Sequence, residues 1–273
     1  MNCQFDIIVI GDSKQGNETL AKLATNNTGI KIAFISREFK STTTHDFLNV
    51  EYIKGEVTFT DYKNRLFGCY LTNGDRLYCT HLVLASGLKY APLLVNNKRV
   101  PNVFNNTSEI DKLAKNQQAV VLGRYDTDVK FAATIAKKYK YVYFCTESLN
   151  TSISNSNMNK LMNIENLVVL PNTSISKFVV KDGSLSSLEL DNYSTLTCSA
   201  IFVKTEATPE VSFMSDKLIS RDTEGYLVTS KHLESTLVPK CYATGNCVRK
   251  STKKMNLAMI EAILNDFGGG LHD

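Results

Sequence analysis

The stretch FDIIVIGDSKQG, Phe5–Gly16, decides the fold of this 273-residue chain. It opens with FDIIVI, an apolar run of the kind that forms a β-strand buried on both faces. The run ends at Gly11, and the following NETLAKLATN, residues 17–26, carries apolar side chains at helical spacing. A second apolar run, KIAFIS at 31–36, completes the pattern. Together these residues predict a βαβ unit.

A second βαβ unit follows later in the chain. QAVVLG at 118–123 and YVYFCT at 141–146 are strand-like, and DTDVKFAATIAKKYK between them has helical spacing. Residues 50–80 alternate and contain Asn73-Gly74, which predicts an antiparallel meander. After the second unit the chain returns to strands and to a final helix, MNLAMIEAILNDF at 255–267. The expected class is α/β, with two Rossmann-like three-layer domains, the second inserted into the first.

Composition narrows the possible functions. The net charge is +4, and the basic run KSTKK at 250–254 is too short to favour a nucleic-acid partner. No run approaches the length of about 18 apolar residues that a membrane helix needs. The strand-like run from Phe5 leaves no room for a signal peptide, so we expect a cytoplasmic protein. His45 and His81 are expected to be surface or packing residues.

The cysteines point to free thiols. The chain has seven, at irregular spacing and without a CxxC pair, together with four histidines, so it shows no zinc pattern and no other metal site. This usage is typical of a reducing compartment. Cys145 and Cys198 lie in strand-like runs and are expected in the core. Cys241 and Cys247 would lie too far apart in an extended chain to form a disulfide.

The loop GDSKQG, 11–16, follows a strand and precedes a helix. Its small residues allow backbone N–H groups at the helix start to approach a pyrophosphate. A simple tight turn between strand and helix explains the same residues, and both interpretations stay open. The acid expected at the end of the second strand, where it binds ribose hydroxyls, is replaced by Ser36, with Glu38 two residues later.

The corresponding loop of the second unit, GRYDTD at 123–128, is less suited to a dinucleotide. Arg124 and Tyr125 are bulky where the backbone must come close to a ligand. Glu147 follows the second strand, where no arginine cluster is present to hold a 2′-phosphate. NAD(P)H binding in this unit is therefore doubtful.

Three longer segments resemble a known family. They are LVLASG at 82–87, SAIFVKTEATPEV at 199–211 and DTEGYLVTSKHLESTLVPKCYATGN at 222–246. The third is similar to the pattern GYI, a Thr-Ser-type stretch, then PG(V/I)(F/Y)AAGD. In content and order the chain resembles the two-dinucleotide-binding-domain flavoproteins of the pyridine nucleotide-disulfide oxidoreductase superfamily, in particular the thioredoxin reductase-like group.

The resemblance implies FAD as cofactor, an FAD-binding domain of residues 1–112 and 206–273, and an inserted NAD(P)-binding-like domain of residues 113–205. The matching positions that it places near the pyrophosphate are Gly11, Ser13 and Gly16, and those near the adenosine are Ser36, Arg37, Glu38 and, after Glu56, the backbone of Val57. The positions that it places along the rest of the cofactor are Ala85, Ser86, Gly87, Gly245, Asn246, Lys254 and Met255. Asn246 replaces the Asp of the family pattern, and its amide can still donate to a phosphate or ribityl oxygen.

The chain also departs from the family. No cysteine lies in 102–117 or on the helix after the first glycine loop, where the family carries its redox CxxC. The segment between the second strand and the meander is shorter than in the family, which predicts a more exposed flavin. A standard NADPH-dependent thioredoxin reductase is therefore not expected.

Three hypotheses follow from the sequence. The first is an FAD-dependent oxidoreductase that takes electrons from another carrier, such as ferredoxin or a free reduced nicotinamide, with a ferredoxin- or thioredoxin-type protein as redox partner. The second is a non-enzymatic regulatory or scaffolding descendant of the fold. The third is a disulfide reductase that uses non-standard cysteines such as Cys145 or Cys247. No catalytic residue is assigned, and the resemblance implies a homodimer.

Overall fold

The computed structural model describes residues 3–39, 47–95, 98–105, 117–146, 152–203 and 207–271. The chain divides into two compact units, unit 1 of Met1–Lys89 and Ala207–Asp273 and unit 2 of Tyr90–Glu206. Unit 2 is thus inserted into unit 1. The boundaries expected at 112/113 and 205/206, like His45 and Glu147, lie outside the described residues.

The described residues form β-strands and α-helices. In chain order they are β1 Phe5–Ile10, α1 Lys14–Asn26, β2 Ile32–Ser36, β3 Val50–Lys54, β4 Val57–Lys63, β5 Leu66–Leu71, β6 Arg76–Leu84, β7 Leu88–Tyr90, β8 Leu94–Val95, β9 Lys98–Arg99, β10 Val103–Phe104, β11 Gln118–Leu122, α2 Asp126–Ala136, β12 Tyr141–Thr146, α3 Asn155–Met162, β13 Leu167–Pro171, β14 Ile175–Lys181, β15 Ser184–Leu190, β16 Thr195–Thr197, β17 Ala200–Val203, β18 Ala207–Pro209, β19 Cys241–Ala243 and α4 Lys253–Asp266.

The main sheet of unit 1 has the order β3-β2-β1-β6-β5-β4, and β19 also pairs with β6. β3, β2, β1, the second half of β6 and β19 run parallel, whereas β6, β5 and β4 form the antiparallel meander expected from the alternation. β6 belongs to both parts because it is long enough to pair with β5 at its start and with β19 at its end. The predicted turn at Asn73-Gly74 is confirmed, with Gly74 at φ +92.

The parallel strands of unit 1 are apolar because both of their faces are covered. Ile7, Ile8 and Val9 of β1 have no exposed surface, so successive side chains on opposite faces are equally buried. α1 contributes Leu20 and Leu23, and α4 contributes residues such as Ile260, to the same core. The continuous apolar run from Phe5 therefore follows from its central place in the sheet.

Unit 2 consists of three layers. Its parallel sheet has the order β10-β17-β11-β12-β13. Val121 of β11 packs with α2 and α3 on one face, whereas Val120 packs with β15 of the sheet β14-β15-β16 on the other. The predicted hairpin at Asp182-Gly183 joins β14 to β15, with both turn residues at positive φ. The predicted α/β class with two Rossmann-type units is confirmed.

The described residues contain neither a membrane-spanning helix nor a cluster of metal-binding side chains. No helix among those residues is long and apolar enough to cross a membrane. No group of three or more His, Cys, Asp or Glu side chains in the same ranges is arranged to hold a metal ion.

His81 of β6 is a packing residue, as expected. Only 1% of it is exposed, and its ring lies 4.7 Å from that of Phe267. Its Nε2 is 3.0 Å from Oδ2 of Asp266, which also pairs with Lys240. Burial lowers the pKa of His81 below its ordinary value of 6.5, and the Lys240 charge acts in the same direction, against the opposing contributions of Asp266 and Asp6.

We expect the free energy of unfolding to decrease as the pH falls below about 6.5. In this range the unfolded chain binds a proton on His81 more readily than the folded chain, because burial favours the neutral ring. His81→Gln should remove much of this slope in urea unfolding measured from pH 7.5 to about 5.5. The matched control is His232→Gln, since His232 is exposed and should leave the slope unchanged. An equal slope in both variants contradicts the assignment.

Candidate functional site

The carboxyl ends of four strands meet at one edge of the unit 1 sheet. Gly11 N–H donates to the Ile35 carbonyl at 2.9 Å, Ala85 N–H to the Ile10 carbonyl at 2.8 Å, and Thr244 N–H to the Leu84 carbonyl at 2.8 Å. The loops after β1, β6 and β19 are therefore brought together with the end of β2. The strand order reverses between β1 and β6, because the chain leads from β1 to β2 and β3 on one side of β1 and later returns to β6 on the other side. Ligands of open α/β sheets bind at such a point.

The first glycine loop is packed too closely for side chains. A Cβ on Gly11 (φ +110) would lie 2.5 Å from the Ala85 carbonyl oxygen, and one on Gly16 would lie 2.2 Å from the Gly11 carbonyl oxygen. Ser13 is the N-cap of α1, and its hydroxyl accepts from Gly16 N–H at 3.1 Å. The tight turn by itself explains both glycines. The remaining N–H groups of the first turn have no intrahelical acceptor and point out of the helix start.

The loop Ala85–Gly87, which follows β6, combines a buried hydroxyl with a glycine that faces open space. The Ser86 hydroxyl is buried beside the Cys247 thiol, and no other hydrogen-bond partner is found for it among the described residues. Gly87 is at φ +74, and no atom lies within 4 Å of the position that a Cβ would take. Its carbonyl accepts from Glu210 N–H at 3.0 Å. The loop is therefore held by this hydrogen bond, whereas the side of Gly87 where a Cβ would stand is open.

The loop after β19 is held by buried polar side chains that the sequence did not single out. Asn256 of α4 accepts from the Thr244 hydroxyl at 3.0 Å and from the Thr19 hydroxyl of α1 at 3.2 Å. Gly245 (φ +75) lies beside Gln15, whose side-chain atoms come within 3.4 Å of a Cβ built there. The exposed Asn246 is thereby presented next to the start of α1.

The start of α4 carries the last two predicted residues. Thr252 is its N-cap and accepts from Met255 N–H at 3.2 Å, Lys254 is exposed, and Met255 packs against the core. A pocket of about 360 Å³ adjoins Met255. The other residues that line it are Asp222, Leu227, Val228, Thr229, Ser230, Lys231, Val248, Arg249 and Lys250.

The end of β2 is joined to two other segments by an arginine. Nε of Arg37 lies 3.1 Å from Oε1 of Glu56, and its Nη2 lies 3.2 Å from Oε2 of Glu210. The Ser36 hydroxyl donates to the backbone carbonyl of Glu38 at 3.0 Å. Val57, the first residue of β4, is buried next to Glu56. The residues predicted near an adenosine therefore lie together at this end of the edge.

The glycine loop of unit 2 is occupied by the protein itself. The Asp128 carboxylate accepts from the N–H groups of Arg124 and Tyr125 at 2.9 and 3.0 Å. These amides belong to the loop that would approach a pyrophosphate, and a negative side chain now fills the place. A Cβ on Gly123 would lie 2.2 Å from the Phe144 ring, so packing alone requires this glycine.

Six of the seven thiols are buried, and burial favours the protonated form. Cys3 is the exposed cysteine, and the other six are buried. Burial raises the pKa of Cys145 to about 12 and, more than any other effect, that of Cys247 to about 11. Cys247 donates to the Thr244 carbonyl at 3.1 Å, behind the edge where the strands end. All seven thiols are free, Cys241 and Cys247 among them.

Residues 5–262 match the family described as pyridine nucleotide-disulphide oxidoreductase. The chain belongs to this family. The match begins at the first strand and ends within α4, so it includes both units. None of the curated proteins matches the sequence.

Solved structures show the same fold. The thioredoxin reductase of Lactococcus lactis, in its FR conformation, is 16% identical with a TM-score of 0.72, covering 97% of this chain and 98% of that one. The thioredoxin reductase of T. acidophilum is 13% identical with a TM-score of 0.66 and 93% of each chain covered. The HOCl-induced flavoprotein disulfide reductase RclA of Escherichia coli is 14% identical with a TM-score of 0.68, covering 98% of this chain and 71% of that one.

We expect Gly16→Ala to destabilise unit 1 by about 1–3 kcal/mol, because the added methyl group meets a backbone oxygen that cannot move away without shifting β1. The free energy of urea unfolding measures the effect. Gly270→Ala is the matched control, since no atom lies within 4 Å of its Cβ position. Equal stability of the two variants contradicts the close packing at the Gly11 carbonyl.

Proposed function

We propose that the chain is an FAD-binding oxidoreductase that works without a redox dithiol of its own. The observation that carries the proposal is the open edge formed by the loops after β1, β6 and β19, with free space in front of Gly87. A glycine with no neighbouring atoms lets a ligand approach the backbone closely, which suits a cofactor bound across this edge.

The residues at this edge fit the cofactor that the family implies. The N–H groups of the first turn of α1 suit a pyrophosphate, since they lack intrahelical acceptors and lie at the positive end of the helix dipole. Asn246 is exposed beside them and can donate to phosphate or ribityl oxygens. Lys254 adds positive charge at the start of α4. When bound, the flavin supplies one- and two-electron redox chemistry, and the protein supplies binding and orientation.

The electrons are proposed to come from a redox protein and not from NAD(P)H bound at the glycine loop of unit 2. The Asp128 carboxylate, which accepts from two loop amides, supports this, because a pyrophosphate would have to displace it and would meet its charge. A ferredoxin- or thioredoxin-type partner, a homodimeric assembly and a cytoplasmic location belong to the same proposal.

A non-enzymatic role is the second candidate. The self-occupied loop of unit 2 favours it, because a descendant that no longer transfers electrons has no need of an open nicotinamide site. The disulfide reductase with non-standard cysteines is disfavoured, because Cys145 and Cys247 are both buried with raised pKa values. A thiol acts as a nucleophile through its thiolate, which burial suppresses.

We expect the full chain to bind FAD and to show the visible absorption of bound flavin. Under anaerobic conditions dithionite should bleach this absorption, whereas NADH and NADPH should leave it unchanged. A chain that stays colourless after FAD is added contradicts flavin binding. Rapid bleaching by NADPH contradicts the proposed donor and leaves FAD binding intact. Bound flavin that no protein donor reduces favours the non-enzymatic role.

We expect iodoacetamide to label only Cys3 in the folded protein and all seven cysteines in urea. The buried thiols react slowly because burial keeps them protonated and covered. Mass spectrometry of the intact protein counts the labels. Fast labelling of Cys145 or Cys247 in the folded state, lost in the matching Cys→Ser variant, would revive the disulfide reductase hypothesis.

A further inference from the structure

The end of β2 lacks the side chain that usually binds ribose in dinucleotide folds. An acid at this point accepts hydrogen bonds from the ribose hydroxyls. Here Ser36 stands in its place, and its hydroxyl is used by the Glu38 carbonyl at 3.0 Å. Glu38 is exposed, and its carboxylate has no ion pair within the part of the chain that the structure describes.

A different carboxylate reaches the same place through the tertiary structure. Gly55 N–H donates to the Ser36 carbonyl at 2.8 Å, so Glu56, the next residue, lies directly beside the end of β2. Nε of Arg37 holds Oε1 of Glu56 at 3.1 Å. Glu56 also precedes Val57, the position matched to the adenine, so its carboxylate stands where ribose and adenine would meet.

Arg37 is itself fixed by a buried acid. The Glu210 side chain is 10% exposed, and its Oε2 lies 3.2 Å from Nη2 of Arg37. Glu210 is anchored on both sides, since its N–H donates to the Gly87 carbonyl at 3.0 Å and Ser212 donates to its Oε1 at 3.4 Å. A buried carboxylate requires a partner, so Arg37 is held in this orientation.

The Glu56 carboxylate remains available to a ligand because it shares the Arg37 guanidinium with Glu210. One guanidinium faces two carboxylates, and Glu56 is the more accessible of the two, with 48% of its side chain exposed against 10% for Glu210. An ionised carboxylate has two oxygens and about four acceptor positions. Contact with Arg37 uses part of this capacity and fixes the direction of the remainder, which suits the two neighbouring hydroxyls of a ribose.

We propose that Glu56 replaces the missing acid of β2 as the acceptor for the adenosine ribose hydroxyls, with Arg37, anchored on Glu210, as its positioning residue. The inference rests on the proposed FAD binding and names the residues that recognise the adenosine half. It moves the ribose-binding role from the end of β2 to the start of β4.

The test is competition of ADP and 2′-deoxyADP with FAD on the full chain, followed by recovery of flavin fluorescence. The wild type should prefer ADP by about tenfold, since a charge-assisted hydrogen bond to the 2′-hydroxyl is lost in the deoxy probe. Glu56→Ala should bring the two probes to equal affinity. Glu38→Ala is the matched control, because it removes the acid that the sequence favoured, and it should keep the preference.

Arg37 is tested by the same ratio, which a purely structural role would not change. Arg37→Met should reduce the preference for ADP even though Glu56 is present, and Arg37→Lys should restore part of it by keeping a positive charge between the carboxylates. Thermal unfolding checks that each variant is folded at the assay temperature. Glu56→Ala, with Glu56 half exposed, is the variant that decides the matter if Arg37→Met is too unstable to assay.

The outcomes separate this inference from the proposed function. FAD binding without a preference for ADP over 2′-deoxyADP overturns the role of Glu56 and leaves the flavoprotein in place. A preference that disappears in Glu38→Ala and persists in Glu56→Ala also overturns it. If neither FAD nor ADP binds to the wild type, both proposals fail together.

Discussion

The structure of unit 1 depends on a contact between backbones in which no side chain takes part. The loop after β1 lies against the loop after β6, and a Cβ on Gly11 would come within 2.5 Å of the Ala85 carbonyl oxygen. Gly16 allows the first turn of α1 to pack against the Gly11 carbonyl oxygen, which would lie only 2.2 Å from a Cβ at this position. Because these contacts bring β1, β6 and α1 so close, the helix start faces the edge where the strands end.

Buried polar groups turn this close packing into a defined arrangement of loops. Asn256 joins α4 to α1 and to the end of β19 through the hydroxyls of Thr19 and Thr244. At the other end of the edge, Arg37 joins β2 to the start of β4 and to Glu210. Thr19, Thr244, Asn256 and Glu210 are buried, where an unpaired polar group is costly, so these links fix the relative position of the segments that they join. The edge where the strands end is therefore shaped by the protein itself.

The two units differ in whether the loops at the ends of their strands are open to a ligand. In unit 1 the loops are open, with space in front of Gly87. In unit 2 the equivalent loop is closed by Asp128 of its own helix. A carboxylate at a helix start satisfies the free amides and the helix dipole, which stabilises the helix but removes the feature that attracts a phosphate. Stability and ligand binding therefore compete for the same N–H groups.

The two βαβ units, the meander between them and their order along the chain could be predicted from the sequence, whereas α3 and the short strands β7 to β10 could not. Apolar runs such as FDIIVI specify strands buried on both faces, and Asn73-Gly74 and Asp182-Gly183 specify tight turns, because these are local properties of neighbouring residues. Glycine positions also indicated the edge at which we propose the site. Which side chains serve that edge follows from the tertiary structure. Asn256, Glu210 and the carboxylate of Glu56 act through partners that are distant in sequence, and Asp128 closes a loop whose letters alone suggested only steric obstruction by Arg124 and Tyr125. Hydrogen bonds and ion pairs between distant segments depend on strand order and register, which no local pattern contains.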